Sequence, residues 1–228
     1  MDEVKETPVK VGETPKEKVG YFRSTERNLQ EYQEIFSFTP GDFKQNARIL
    51  DVGSGTYQAF AKKLRNMRPD LDVVSIDPSL FIADYEIQDE TGKIRPITRG
   101  EKTERRLKKS SQVIAAMAPD LPFKNDSFDY IFDNHGAFMY FPNDPKELKN
   151  YLGELLRITR PDSQINIYPL DLYIEALIED PNERFNISKN RISGLVGEIG
   201  IQNFQLFTSL EQTRNGPIPR LGIKIVKK

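Results

Sequence analysis

The chain contains no cysteine. That absence excludes a disulfide scaffold, a thiol nucleophile and cysteine-ligated zinc or iron–sulfur centres. No apolar run approaches the roughly 20 residues of a membrane-spanning helix, so no membrane association is expected. Neither charge is in excess. Lys and Arg number 33 against 34 Asp and Glu, for a formal net charge of −1, so nothing global points to nucleic acid or to an acidic lipid surface. Histidine occurs once, at His135. The first residues are rich in Lys and Glu and lack the apolar stretch of a secretory signal. The expected location is cytoplasmic.

What is present suits one soluble globular domain. The 228 residues can bury a large core, and 37% hydrophobic with 29% charged residues is an ordinary balance for it. Residues 1–20 alternate Lys and Glu around Pro8 and Pro15 with few large apolar groups, which predicts a disordered tail. The folded domain is expected over residues 21–228. Leu29, Tyr32, Ile35 and Phe36 recur at helical spacing and predict a helix within Tyr21–Phe38.

Strands then alternate with helices. Arg48–Val52, Leu71–Ile76, Gln112–Met117, Phe128–Phe132 and Gln164–Tyr168 read as strands. A helix over Tyr57–Met67 carries Phe60, Leu64 and Met67 on one face. Asp144 and Pro145 begin another, with Leu148, Leu152, Leu155, Leu156 and Thr159 inward and Pro161 as its end. Ser188 is expected to cap a third helix, striped by Ile192, Leu195, Val196 and Ile199. Phe204–Thr208 and Leu221–Val226 follow with no helix between them. The pattern predicts an α/β fold with a mostly parallel, helix-flanked, seven-stranded sheet and one antiparallel strand.

Residues 82–111 are too many for a plain crossover. Glu90-Thr91-Gly92-Lys93 reads as a turn between Tyr85–Gln88 and Lys93–Ile97. A basic stretch from Arg99 to Lys109 follows, part of it helical. The segment is expected to be an inserted hairpin and helix after the second strand that caps a site.

The functional signal is Ile49-Leu50-Asp51-Val52-Gly53-Ser54-Gly55. A buried strand runs into a Gly-x-Gly loop, and the next strand ends in Asp77. Glycines let the backbone approach a ligand, and an acid at the next strand tip can accept ribose hydroxyls, so the pattern reads as a nucleoside site. Gln58 replaces the third glycine of the dinucleotide fingerprint, and no Gly-Lys-Ser/Thr of a triphosphate loop follows. An acid beside this loop suits a zwitterionic amino-acid tail better than a pyrophosphate.

With these residues the sequence resembles the class I S-adenosylmethionine-dependent methyltransferases. The resemblance covers Ala47 to about Asp171. It rests on the loop above, on Ser75-Ile76-Asp77-Pro78-Ser79, on Ala118-Pro119-Asp120-Leu121-Pro122-Phe123, on Ser127-Phe128-Asp129-Tyr130-Ile131 and on Leu155-Leu156-Arg157-Ile158-Thr159-Arg160-Pro161. It implies a Rossmann-like three-layer sandwich and S-adenosylmethionine as cofactor. Asp51, Gly53, Ser54 and Gly55 would hold the methionine part, Asp77 the ribose, and Pro78, Met117 and Ala118 the adenine. Asn134 and His135 would sit near the sulfonium and the acceptor, with His135 a candidate general base. Tyr57 stands where the family's loop usually has a further glycine, and Met117 where an acid often reads the adenine.

The activity this implies is methyl transfer to a small-molecule acceptor by direct displacement. Asp133-Asn134-His135-Gly136 in place of Asn-Pro-Pro-Tyr speaks against the adenine and glutamine N-methylating branches. The lack of cysteine excludes cytosine methylation through a thiolate adduct. No carboxylate set for a metal is assembled from the sequence. Two alternatives stay open: a non-catalytic relative on the same fold, motivated by Tyr57 and Met117, and an RNA or protein methyltransferase that uses residues 82–111 as its reader.

Overall fold

The structure is a computed structural model, and it describes residues 27–55, 58–77, 84–88, 94–98, 113–114, 121–136, 138, 145–170, 178, 180–213 and 216–228. In chain order the helices are α1 (Leu29–Phe36), α2 (Ala59–Met67), α3 (Pro145–Ile158) and α4 (Pro181–Ile199). The strands are β1 (Arg48–Val52), β2 (Asp72–Ile76), β3 (Asp84–Gln88), β4 (Ile94–Thr98), β5 (Val113–Ile114), β6 (Phe128–Asn134), β7 (Thr159–Tyr168), β8 (Phe204–Thr213) and β9 (Gly216–Lys227).

Seven strands form one sheet in the order β5-β2-β1-β6-β7-β9-β8. β1 pairs in parallel with β2 and β6, and β6 in parallel with β7. Only β9 is reversed: it runs antiparallel to both neighbours, β7 and β8. β9 returns directly alongside β8, with Thr213 opposite Gly216, as the missing helix between the last two strands predicts.

The sheet is buried on both faces, as parallel sheets are. On one face Leu50, Val52, Val74, Ile76 and Ile131 meet Leu148, Leu152 and Leu155 of α3 and Ile192, Leu195 and Val196 of α4. On the other, Ile49, Val73, Tyr130 and Phe132 meet Leu29, Tyr32 and Phe36 of α1 and Phe60 and Leu64 of α2. These are the three layers. Phe138 lies in the first of these cores.

Several boundaries move. α4 begins at Pro181, with the Asp180 side chain accepting from Asn182 N at 2.9 Å. Ser188 is therefore no cap; it is a buried residue inside that helix. α3 ends at Ile158, where the Thr159 hydroxyl turns back onto Leu155 O at 2.6 Å, and Pro161 lies within β7. Its place is irregular: the pairing jumps from Phe128↔Thr159 to Tyr130↔Gln164, and a bulged start is where a strand tolerates proline. Asp162 takes a left-handed φ of 57° there. The inserted hairpin exists as a separate two-stranded sheet, β3–β4, with Ile87 opposite Arg95. The tail, Asp144 and the basic stretch after Thr98 lie outside the described residues.

Candidate active site

β1 and β6 lie side by side, and their C-terminal ends supply the acids of the site. Alternation along β1 turns Leu50 and Val52 toward α3 and α4, and Ile49 toward α1 and α2. Asp51 points the same way as Ile49 and ends 1% exposed. Its Oδ1 accepts from the Tyr32 hydroxyl at 2.7 Å. Tyr32 is held in turn by stacking on Phe60, with ring centroids 4.0 Å apart. Asp51 Oδ2 is buried and has no hydrogen-bond partner among the described residues. Burial pushes the Asp51 carboxyl up to about 7; the Tyr32 hydrogen bond opposes this, as does Arg27, while Asp77 and Asp133 add to it.

The loop after β1 hangs on the tip of β2. Gly53 N and Ser54 N donate to Ile76 O at 2.8 and 3.2 Å. Gly55 N donates to Asp77 Oδ2 at 2.6 Å. Gly53 and Gly55 both have left-handed backbones, with φ of 69° and 65°. Their surroundings differ. A Cβ at Gly53 would lie 2.3 Å from the Cα of Gly136, whereas one at Gly55 would meet nothing within 4 Å among the described residues. The first glycine serves a backbone crossing; the second borders open space.

β6 ends in Asp133 and Asn134, both fully buried. Asp133 is committed to structure. Its carboxylate accepts from Gly136 N at 2.8 Å, Phe138 N at 3.1 Å and the Tyr151 hydroxyl at 2.7 Å. Burial raises its pKa to about 6 against these bonds. Asn134 Oδ1 lies 2.9 Å from His135 Nδ1, its Nδ2 is buried without a partner among the described residues, and its carbonyl accepts from the Arg27 guanidinium. His135 is half-buried, in a left-handed turn with φ 54°. Its N–H donates to Tyr168 O at 2.6 Å, and its ring meets Tyr168 edge-on at 5.4 Å.

The structure thus gathers Asp51, Gly53, Ser54, Gly55, Asp77, Asn134 and His135 at the C-terminal ends of three adjacent strands, where open α/β sheets take ligands. Pro78, Met117, Ala118 and Tyr57 lie outside the described residues. Sequence reasoning missed Arg27, Tyr32 as a polar partner, Asp133, Gly136 and Tyr151. For Asp133 and Gly136 a signal existed: an acid at a strand tip followed three residues on by a glycine, close to the Asp51-Val52-Gly53 spacing at β1. Among the described residues no group of three or more His, Asp or Glu could hold a metal ion, and no helix is long and apolar enough to cross a membrane.

Chemically, the site offers an unpartnered carboxylate oxygen, an unpartnered amide donor and open ground over a glycine backbone. That set suits a ligand with an ammonium group and a nucleoside. Comparison with known proteins agrees. The family profile described as "Methyltransferase domain" matches residues 50–167. No curated protein matches the chain. Among solved structures, a protein from Pyrococcus horikoshii OT3 superposes with a TM-score of 0.52 at 19% identity, covering 88% of this chain and 93% of that one. A SAM-dependent methyltransferase from Methanosarcina mazei gives a TM-score of 0.50 at 14% identity, covering 82% and 96%.

Proposed function

The chain belongs to the methyltransferase domain family and is S-adenosylmethionine-dependent, and on that premise we propose that its methyl acceptor is a small molecule. The site fits the cofactor. Asp51 Oδ2 is a buried acceptor awaiting a donor, as an amino-acid ammonium would be. The open space at Gly55 admits a ligand against bare backbone, and Asp77 stands beside it for the ribose. Bound there, the cofactor would supply a methyl group on a sulfonium, whose S–CH3 bond would break toward a positioned nucleophile to leave the neutral thioether, a displacement for which proximity and orientation suffice.

The residues of the chain bind, orient and exclude water. Asp133 takes no part in proton transfer, because its oxygens hold the turn that carries His135 and Gly136. His135 is the base of the proposal. With Nδ1–H donating to Asn134 Oδ1, the basic nitrogen of its ring is Nε2, which takes the acceptor's proton.

The observation that supports a small acceptor is the setting of His135. It is half-buried and its ring meets Tyr168 edge-on. A base set partly inside the protein suits a compact molecule. The test is incubation with methyl-labelled S-adenosylmethionine and a cell extract separated into metabolite, RNA and protein fractions. Label in the metabolite fraction, reduced in His135→Ala, is expected. Label only in RNA or protein would overturn the small-acceptor reading in favour of a macromolecular substrate. Cofactor binding without any transfer would favour a non-catalytic relative.

A further inference from the structure

β8 is the outermost strand of the sheet among the described residues, beyond β9. It pairs with β9 over ten unbroken rungs, from Phe204↔Ile225 to Thr213↔Gly216. β9 pairs with β7 only from Ile223 onward. The rungs from Ser209↔Arg220 to Thr213↔Gly216 therefore form a ribbon that runs past the C-terminal end of β7, with no third strand among the described residues. A two-stranded ribbon is marginal in water, and a third strand is what stabilises it.

The hydrogen-bond phase distinguishes the two edges of this ribbon. Val226 N donates to Asn203 O at 2.9 Å, so these two residues turn their backbone groups toward each other, and the alternation carries along the ladder. Odd-numbered residues of β8 face even-numbered residues of β9. The odd-numbered residues of β9 face away from β8, and two of them are Pro217 and Pro219. Having no N–H, they blunt that edge at no cost to the ladder.

The β8 edge has no such protection. Its outward backbone groups belong to Phe204, Leu206, Thr208, Leu210 and Gln212. The strand is ten residues long, has no proline or lysine, and carries one charge, at Glu211. Its pairing with β9 has no bulge. Leu210 is 64% exposed and Phe204 39%. A long, regular, apolar edge is a template for another strand.

A second copy of β8 fits it. Antiparallel pairing about a two-fold axis at Thr208 sets outward-facing residues opposite outward-facing ones. Thr208 meets its own copy, Leu210 the partner's Leu206, and Phe204 the partner's Gln212. Glu211 falls on the rung of the partner's Gln205, and the next position on that rung is the partner's Lys224, so the charges brought into line are opposite. The ribbon half of each β8 runs along the base of the other, and each copy supplies the other's missing strand.

We propose that β8 is a self-association edge, through which two copies of the chain join their sheets antiparallel about Thr208. Such an interface is isologous, so every contact in it occurs twice.

The test is sedimentation equilibrium of the full chain from micromolar to hundred-micromolar concentration, with two variants on the outward edge. Leu210→Lys adds a charge at an exposed position, and Thr208→Pro removes an outward N–H, so neither takes a hydrogen bond from β9. The wild-type chain is expected at twice the monomer mass. Each variant is expected to weaken the dimer by about tenfold or more, since each change enters the interface twice, and to keep the circular dichroism of the wild type. The chain has no cysteine, so single cysteines read the register. Thr208→Cys should cross-link the dimer on oxidation, because directly opposite residues lie within disulfide reach, and Leu210→Cys should not. A wild-type chain that stays monomeric throughout would overturn the proposal. So would a dimer that both edge variants leave intact, or one in which Leu210→Cys cross-links as readily as Thr208→Cys or neither does.

Discussion

Gly53 and Gly136 touch backbone to backbone: a Cβ on the first would fall 2.3 Å from the Cα of the second. The contact locks the loop after β1 to the turn after β6, two segments 83 positions apart in numbering. A Cβ on Gly136 would also press on Asp133 Oδ1 at 2.4 Å and on Val52 O at 2.6 Å. Gly136→Ala is therefore expected to cost roughly 3 kcal/mol, read by chemical denaturation. Gly55 has only its left-handed backbone to lose. Gly55→Ala should cost about 1 kcal/mol in stability, yet weaken cofactor binding at least tenfold, because the new methyl enters the open space. Equal stability losses in the two variants would contradict this division.

Asp51 should make both stability and binding depend on pH. Burial raises its folded-state pKa from an ordinary 3.8 to about 7. A raised carboxyl binds its proton more tightly in the folded chain, so its contribution to stability is complete below about 4 and is lost as pH rises through 7. The unliganded chain should lose on the order of a few kcal/mol across that window, with Asp133 adding a share as its pKa of about 6 is crossed. Asp51→Asn should flatten the slope. Binding runs the opposite way: an ammonium needs the carboxylate, so cofactor affinity should rise between pH 6 and pH 8 and the dependence should vanish in Asp51→Asn. Calorimetry in buffers of different ionisation heat would detect the released proton.

Asp77 braces Gly55 N at 2.6 Å from the tip of β2 and is proposed to take the ribose, and its removal should show both. Asp77→Ala is expected to weaken S-adenosylhomocysteine by about tenfold or more. An unchanged titration would remove Asp77 from the site.

Arg157 provides the contrasting case of a motif residue that is structural. It donates to Phe123 O at 2.8 Å, Asn125 Oδ1 at 2.8 Å and Leu121 O at 3.2 Å, while Glu154 holds its Nε at 2.9 Å. It staples the Leu121-Pro122-Phe123 turn to the end of α3. Arg157→Ala should destabilise the chain by about 1–3 kcal/mol and leave cofactor affinity unchanged once the protein is folded. A selective loss of affinity would move Arg157 into the site.

The sheet was legible because local pattern and tertiary role coincide in it. Ile49, Leu50, Val73 and Val74 are apolar in consecutive pairs, which only a strand covered on both faces requires. The loop glycines and Asp77 were legible because bare backbone and an acid at a strand tip have few other uses. Tyr32 was read as one more residue of an apolar stripe, and its ring does pack there. Its hydroxyl finds Asp51 19 positions away, which no spacing rule encodes. Ser188 mimics a cap in composition, and only the length of α4 shows that the helix begins earlier. Pro161 marks a helix end by rule, but a bulge lets β7 start before it.

The most direct test of the account is calorimetric titration of the whole chain with S-adenosylmethionine and S-adenosylhomocysteine. Saturable binding of each, at one site per chain and weakened by Asp77→Ala, is the predicted result. No binding of either ligand up to millimolar concentration would contradict it.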